Sequence, residues 1–332
     1  MAPEISVVLP VRDAQSTVER AVRSILQQTL AEIELIVIDD GSTDRTTEIV
    51  AQISDHRLHV KRTKPRGVVA AANLGTQRAQ APIIARMDAD DWAHPARLAT
   101  QWDYLEQNNL DVVGCRVRIE STAGPLTDGM LRYQRWINED TLTPKQIHAL
   151  RFVELPLVNP SVLARRRYFE FGFKDNALPE DYDLMLRAAG QGMKFGKTPE
   201  VLLTWQDSPA RLTRTHSRYS EEAFMECRRF HVLNGPLRGV SCVDLWGAGR
   251  TGKPWLRWLQ NQNITVRKVI EVSERKKGQV IHGVPVIAPE ILKPPDGTPM
   301  LVAVGTAGAR ALIDSFVSAR SYQTGHDVWF VA

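Results

Sequence analysis

The sequence predicts two α/β units in series, a large one built on a mainly parallel sheet and a smaller one behind it. Three observations predict this. Short β-branched runs alternate with segments of helical period, which implies right-handed crossovers and parallel pairing. Carboxylates or glycines stand where several of the apolar runs stop, at the edge where open α/β sheets bind ligands. Finally, Asn234-Gly-Pro-Leu-Arg-Gly239 punctuates the chain before the alternation starts afresh.

Ile5 to Pro10 is the first strand, apolar and closed by a proline. Val18, Ala21, Val22, Ile25 and Leu26 then fall on one helical face, with Ser16 or Thr17 as the N-cap. Ile33 to Ile38 is the second strand and Asp39 to Asp44 its turn, followed by a helix over Asp44–Ile53 and a strand over Leu58–Lys61. Gly67 to Gly75 opens a helix of small residues able to lie close to the sheet. Pro82 to Met87 is the strand that delivers Asp88, Asp90 and Asp91, and Pro95 suits the first position of a helix reaching about Gln107. Beyond Asp111–Cys115 the pattern loses regularity. A helix over Thr143–Phe152, a proline-rich non-helical stretch over Leu155–Ser161 and a helix from Pro179 come next. A strand over Val201–Trp205 and a long helix over Ser217–Leu233 close the first unit, residues 1–234. The second unit, 240–332, reads as strand Ser241–Trp246, turn Gly247–Gly252, helix Lys253–Gln260 and strand Ile264–Ile270. Strand Pro299–Val304, helix Ala307–Ala319 and strand Val328–Val331 complete it.

Composition narrows the function classes. A 43% hydrophobic and 24% charged share is that of a water-soluble globular protein. No apolar run nears the roughly 20 residues of a membrane helix, and the start lacks the basic region and cleavage site of a signal peptide. Cys115, Cys227 and Cys242 are widely spaced and odd in number, so they read as reduced thiols, and the expected compartment is the cytoplasm. From Val240 onward there are 11 Lys/Arg against 7 Asp/Glu; with 42 and 38 in the whole chain, 31 of each remain before it. A neutral larger unit argues against a nucleic-acid binder.

Three acidic sites gather at one sheet edge. Asp39 and Asp40 end the second strand, Asp88, Asp90 and Asp91 end a later one, and Glu180 and Asp181 fall in the first turn of a helix. The loop at Arg12-Asp13 belongs to the same edge. Carboxylates crowded at a strand tip repel one another unless a cation joins them, and hard oxygen ligands suit Mg²⁺ or Mn²⁺ shared with a phosphate. A separate carboxylate can serve as general base. Each group also has a plain reading, as a turn or helix-start acid.

Pro10-Val-Arg-Asp13, Ile38-Asp-Asp-Gly-Ser-Thr-Asp44, Asn73-Leu-Gly75, Arg86-Met-Asp-Ala-Asp-Asp91, Arg97-Leu98 and Pro179-Glu-Asp-Tyr-Asp-Leu184 occur in the order and spacing of a family 2 glycosyltransferase of the GT-A fold. The resemblance covers about Ile5 to Leu233. It implies a nucleotide-diphosphate-sugar donor, UDP first, held by Pro10, Arg12, Asp13, Asp40, Asn73, Arg86 and Asp88. It implies Mn²⁺ or Mg²⁺ on Asp90 and Asp88, with His216 completing the metal site and Arg214 meeting the pyrophosphate. Asp181 corresponds to the base of inverting members, supported by Glu180. The acceptor implied is a glycan or lipid-linked sugar of cell-surface polysaccharide synthesis, reached at the inner membrane face without insertion. Arg12-Asp13 stands where an aromatic–Asn pair is common, and Asn159-Pro-Ser161 lacks a histidine often found there.

Gly247-Ala-Gly-Arg-Thr-Gly252 follows a strand and opens a helix, and Glu271 ends the next strand, the arrangement of a dinucleotide fingerprint. With Gly283-Val-Pro-Val-Ile287, the unit resembles the small Rossmann-like domain at the front of some sugar O-acyltransferases. That implies a docking or regulatory module, a homo-oligomer contact, or a nucleotide site at Gly247, Gly249, Gly252 and Glu271. No tyrosine–lysine pair or other hydride-transfer apparatus accompanies it, so catalytic NAD(P) is not expected. Two rivals stay open: an NAD(P)-dependent enzyme centred on this turn, and a non-catalytic assembly protein.

Overall fold

The structure, a computed structural model, describes residues 2–209 and 211–332. Its larger sheet joins β1 (Ile5–Val11), β2 (Ile33–Asp39), β3 (Leu58–Arg62), β4 (Ile83–Arg86), β5 (Trp92–Ala93), β6 (Val112–Ser121), β7 (Leu163–Arg165) and β8 (Phe195–Asp207) in the order β3-β2-β1-β4-β7-β6-β8-β5. The first four strands in that order are mutually parallel. Strand β7 runs against both of its neighbours, β6 and β8 are parallel, and β5 is an antiparallel edge. Every residue of β2 and all of β1 except Pro10 are buried, as expected of central parallel strands covered on both faces.

Helices α1 (Val18–Leu26), α2 (Thr46–Ala51), α3 (Val68–Arg78) and α4 (Arg97–Gln107) return the chain between the early strands. In α3 the small residues have a packing reason. A Cβ on Gly75 would stand 2.3 Å from Val8 Cγ1, so only glycine lets the helix lie on β1 at this distance. Helices α5 (Asp128–Arg135), α6 (Pro144–Leu150), α7 (Arg166–Phe169), α8 (Glu180–Gly190), α9 (Leu212–Thr215) and α10 (Glu221–Asn234) follow. The smaller sheet contains β9 (Cys242–Trp246), β10 (Thr265–Ile270), β11 (Val280–Ile281), β12 (Val284–Ile287), β13 (Met300–Val302) and β14 (Val328–Phe330), ordered β11-β12-β10-β9-β13-β14. It is parallel except for β11, and α11 (Gly252–Asn261) and α12 (Ala309–Ser318) cover it.

The compact units are Met1–Ile147 with Pro156–Cys227, and His148–Leu155 with Arg228–Ala332. Side chains explain why an internal segment sides with the C-terminal part. Arg151 lies over the rings of Phe152 and Trp329, 4.7 Å from each centroid, and Arg228 Nη1 donates to Val153 O at 2.8 Å.

Several local expectations need correction. Thr17 holds the N-cap position of α1, but its hydroxyl turns back to Ala14 O and caps nothing. Pro95 precedes α4, whose N-cap is Ala96, because His94 O takes the Arg97 N–H in a preceding turn. Helix α2 starts at Thr46, since Asp44 caps from outside by accepting the Thr46 N–H at 2.9 Å. The predicted helix from Ser217 is a short 3₁₀ turn over Ser217–Tyr219, broken at extended Ser220 before α10. Beyond Cys115 the sheet continues through β6, β7 and β8. Cys115 and Cys227 are buried, while Cys242 is only partly so, and none of the three is in a disulfide. No helix among the described residues is long and apolar enough to cross a membrane.

Candidate active site

Strands β1, β2 and β4 end side by side, with Val11 beside Asp39 and Val8 beside Arg86, so their following loops share one edge. Two loops there are tied together. Asp13, in the left-handed region at φ 49°, accepts the Thr43 N–H at 2.7 Å and donates its own N–H to Ser42 Oγ at 3.0 Å. The Thr43 amide holds the Asp13 carboxyl below its ordinary range. Arg12 is half-exposed, its Nε 3.6 Å from Asp13, and Pro10 is partly exposed in β1.

Asp40 and Asn73 are engaged with backbone. The buried Asp40 carboxylate accepts the Arg66 and Gly67 N–H groups at 2.8 and 2.7 Å, shaping the turn into α3. Asn73 donates to Phe173 O at 2.8 Å and accepts the Phe173 N–H at 2.9 Å, clamping α3 to the chain after α7.

The acids after β4 form the centre. One carboxylate oxygen from each of Asp88, Asp90 and Asp91 lies within 4.8 Å of the others. Asp91 is fully buried: Oδ1 accepts the Gln206 N–H at 2.9 Å, whereas buried Oδ2 has no partner. Burial, then the charges of Asp90 and Asp88, push Asp91 well above the usual carboxylate range. Burial and Asp88 raise Asp90 as well, opposed by Arg211 and Arg20. Buried like charges with an unsatisfied oxygen are costly, and a hard divalent cation removes that cost, so these residues fit Mn²⁺ or Mg²⁺.

Beneath them, the buried Arg86 side chain reaches Val8 O at 3.2 Å and Asp88 Oδ1 at 3.3 Å. Burial lowers its pKa, while Asp88, Glu180 and Asp181 act in the opposite direction. Arg97, also buried, donates to Arg86 O at 2.8 Å and fixes the strand end that presents the acids.

Asp181 and Glu180 open α8 as the sequence indicates. Asp181 keeps partial exposure, yet burial first, then Glu180 and Asp88, push its carboxyl up to about 8. Glu180 is buried, and Tyr219 Oη lies 2.7 and 2.8 Å from its two oxygens.

The two residues carried over from the later segment have partners within the protein. His216 Nδ1 accepts the Arg218 N–H at 3.2 Å, and among the described residues the ligand group holds Asp91 where the resemblance implied His216. Arg214 forms a bidentate pair with Asp207, at 2.9 and 2.5 Å. Arg211 is the basic side chain whose charge acts on Asp90 and Asp91; it stacks 4.2 Å from the Trp205 ring centroid and donates to Gln206 O at 2.9 Å. Arg20 donates to Asp90 O at 2.9 Å. Arg20 was not legible, since it lies 70 residues from its partner. Arg211, Arg214 and Arg218 stand in the sequence as one basic cluster able to meet phosphates, with no chemistry to tell which of them faces the acids. Tyr219 was hidden in an assumed helix.

In the smaller unit the glycine turn is closely packed. A Cβ on Gly252 would stand 1.9 Å from Gly247 O, and one on Gly247 (φ 116°) 2.7 Å from Ala303 O, whereas Gly249 faces open space. Glu271 is turned inward. Its oxygens accept the N–H groups of Ala248, Val272 and Ser273 at 3.0–3.1 Å and the Lys276 ammonium at 3.2 Å. A carboxylate so engaged is poorly placed to take a ribose hydroxyl.

Comparison with known proteins adds an independent line. The family model described as Glycosyl transferase family 2 matches residues 6–173. A glycosyltransferase of Bacillus subtilis, EpsJ, is 28% identical over 222 residues, 64% of each chain. The O-antigen biosynthesis glycosyltransferase WbnJ of Escherichia coli is 27% identical over 236 residues, 69% of this chain and 87% of that one. Among solved structures, S. aureus TarS in complex with UDP-GlcNAc aligns with a TM-score of 0.55 at 17% identity, covering 70% of this chain and 67% of that one. The mannosyltransferase PcManGT from Pyrobaculum calidifontis, in complex with GDP-Man and Mn²⁺, aligns at 0.50 and 18%, covering 79% and 70%. The chain thus spans just under two thirds of EpsJ, and these likenesses in structure concern the fold. With half its length matched by the family model and its acids at the sheet edge where the motifs predicted them, this chain belongs to glycosyltransferase family 2 and has the GT-A fold.

Proposed function

We propose that the enzyme is an inverting, metal-assisted transferase that moves a sugar from a nucleotide diphosphate, UDP first, to a hydroxyl of a glycan or lipid-linked acceptor in cell-surface polysaccharide synthesis. The observation that carries the reading is the Asp88–Asp90–Asp91 group with its orphaned buried oxygen, together with a base-like carboxyl at Asp181 that feels the charge of Asp88. The metal and nucleotide named for PcManGT and the UDP-sugar named for TarS support it, as does the pathway named for WbnJ. Asp88, Asp90 and Asp91 would hold Mn²⁺ or Mg²⁺, which when bound neutralises charge on the leaving diphosphate. Arg12, Asp13, Pro10 and the Asp40-shaped turn line the nucleoside side, and Arg211, whose charge acts on Asp90 and Asp91, joins Arg214 as a cation able to meet the pyrophosphate.

In the transfer step a bond forms between the acceptor oxygen and the anomeric carbon as the bond from that carbon to the diphosphate oxygen breaks. Asp181 takes the acceptor proton, and attack from the face opposite the leaving group inverts the centre. Arg86 keeps positive charge beneath Asp88 and Asp181. We assign 1–234 as the catalytic part and 240–332 as a docking or regulatory module that meets the inner membrane face peripherally or a second copy of the chain. The inward-turned Glu271 favours that module over catalytic NAD(P) use.

Calorimetric titration of UDP and of GDP, each with and without Mn²⁺, tests the reading on the full chain. Metal-dependent binding that disappears in Asp90→Ala is the expected result. Metal-independent binding, or affinity unchanged in Asp90→Ala, would remove the acids from the donor site.

A further inference from the structure

Glu180 invites assignment as a second catalytic acid, but its surroundings say otherwise. Its carboxylate is buried and engaged: the Tyr219 hydroxyl is 2.7 and 2.8 Å from its oxygens and Arg218 Nη1 is 3.6 Å away. Arg218 is itself mostly buried and bridges Glu180 to Asp175 through Nη2. Residues 211–220 therefore form a strap with two moorings. At one end Arg211 rests on Trp205 and Gln206 O, and Arg214 grips Asp207, at the end of β8 whose Gln206 N–H holds Asp91. At the other end Tyr219 and Arg218 hold the first turn of α8, where Asp181 sits. The strap runs from the metal-type acids to the base.

We propose that Tyr219 and Arg218 are positioning residues for the transfer step, acting through Glu180 to fix the first turn of α8 and so the aim of the Asp181 carboxylate. This rests on Asp181 being the base. A base must lie within hydrogen-bond reach of the proton it takes, and small displacements are costly to rate. The Tyr219 hydroxyl gives that turn a side-chain restraint that its own cap lacks, since Pro179 supplies no side-chain hydrogen bond. Glu180 is thereby a mooring post and Asp181 the sole proton acceptor of the pair.

The test is a double-mutant cycle between Tyr219→Phe and Glu180→Ala, read on UDP release from UDP-GlcNAc, UDP-glucose and UDP-galactose with water as acceptor, and on UDP–Mn²⁺ calorimetry. Phenylalanine keeps the ring that meets His216 edge-on and removes only the hydroxyl. Tyr219→Phe should lower kcat on the order of tenfold while KM for the donor and UDP affinity stay within about twofold. The same substitution should cost nothing further in the Glu180→Ala protein, because the partner is already gone. Hydrogen exchange across 178–186, which needs no turnover, should quicken in Tyr219→Phe. Full kcat, additive losses, a change confined to KM, or unaltered exchange would each overturn the proposal. Asp181→Asn separates the two layers: if it still turns over, the assignment of the base fails, whereas its inactivity beside a fully active Tyr219→Phe sinks only the positioning role.

Discussion

The pH dependence of transfer offers a quantitative test of the base. Asp181 is raised from 3.8 to about 8, by burial first and by the neighbouring charges of Glu180 and Asp88 next. A base works only when deprotonated. With a pKa of about 8, about one molecule in ten is competent at pH 7 and about one in a hundred at pH 6, so kcat should fall about tenfold per unit below neutrality. Neutralising the like charge with Glu180→Gln keeps an acceptor for the Tyr219 hydroxyl and removes the second-ranked cause. The limb should then move acidward, and the activity at pH 6 should rise relative to that at pH 9. The assay is UDP release across pH 5.5–9.5 at saturating donor, run at both subsaturating and saturating Mn²⁺. The bound cation offsets Asp88, so the limb should also lie lower as metal approaches saturation. A flat profile, or a limb that ignores both Glu180→Gln and metal, would refute the assignment of Asp181 as the titrating base.

Two predictions concern stability. Folding raises the Asp91 pKa, so its contribution is full below the unfolded value near 3.8 and is lost as pH rises through the folded value. Asp91→Asn escapes that loss: in EDTA at pH 8 its melting temperature should equal or exceed that of the parent. Mn²⁺ at about a hundred times its Kd should stabilise the parent by about 2.7 kcal/mol and leave the variant unmoved; a destabilised variant in EDTA, or one that still responds to Mn²⁺, would contradict the cation site. Gly75→Ala places a methyl group 2.3 Å from Val8 Cγ1, so thermal or urea unfolding should show a loss of about 1–3 kcal/mol, and a neutral result would mean that α3 can lift from β1 freely.

Strands β1, β2 and β4 were legible because burial on both faces forces continuous apolar runs such as Ile33–Ile38, and their ends mark one edge of the sheet without further information. Asp88, Asp90 and Asp91 stood out for the same reason, as charges placed where hydrophobicity stops, and Glu180 and Asp181 as acids in the first turn of a helix. What each acid touches was not readable. Asp40, Glu180 and Glu271 look alike in sequence, yet each has its oxygens taken by partners up to 39 residues away. The helix across Ser217–Leu233 was misread because side-chain period cannot register that Tyr219 leaves the helical path to meet Glu180, with Ser220 extended behind it. The order of β6, β7 and β8 was equally hidden, since antiparallel β7 is only three residues long.

The lending of His148–Leu155 to the second unit bears on how the chain is born. Arg151 and Phe152 find Trp329 only after synthesis has run on from residue 152 to residue 329. At ordinary synthesis rates that is a wait of roughly 10–35 s, during which an aromatic and a cation destined for the interior stand open to solvent and to chaperones. Premature termination anywhere before β14 should therefore expose this early segment as well as the missing strand, marking such products for removal.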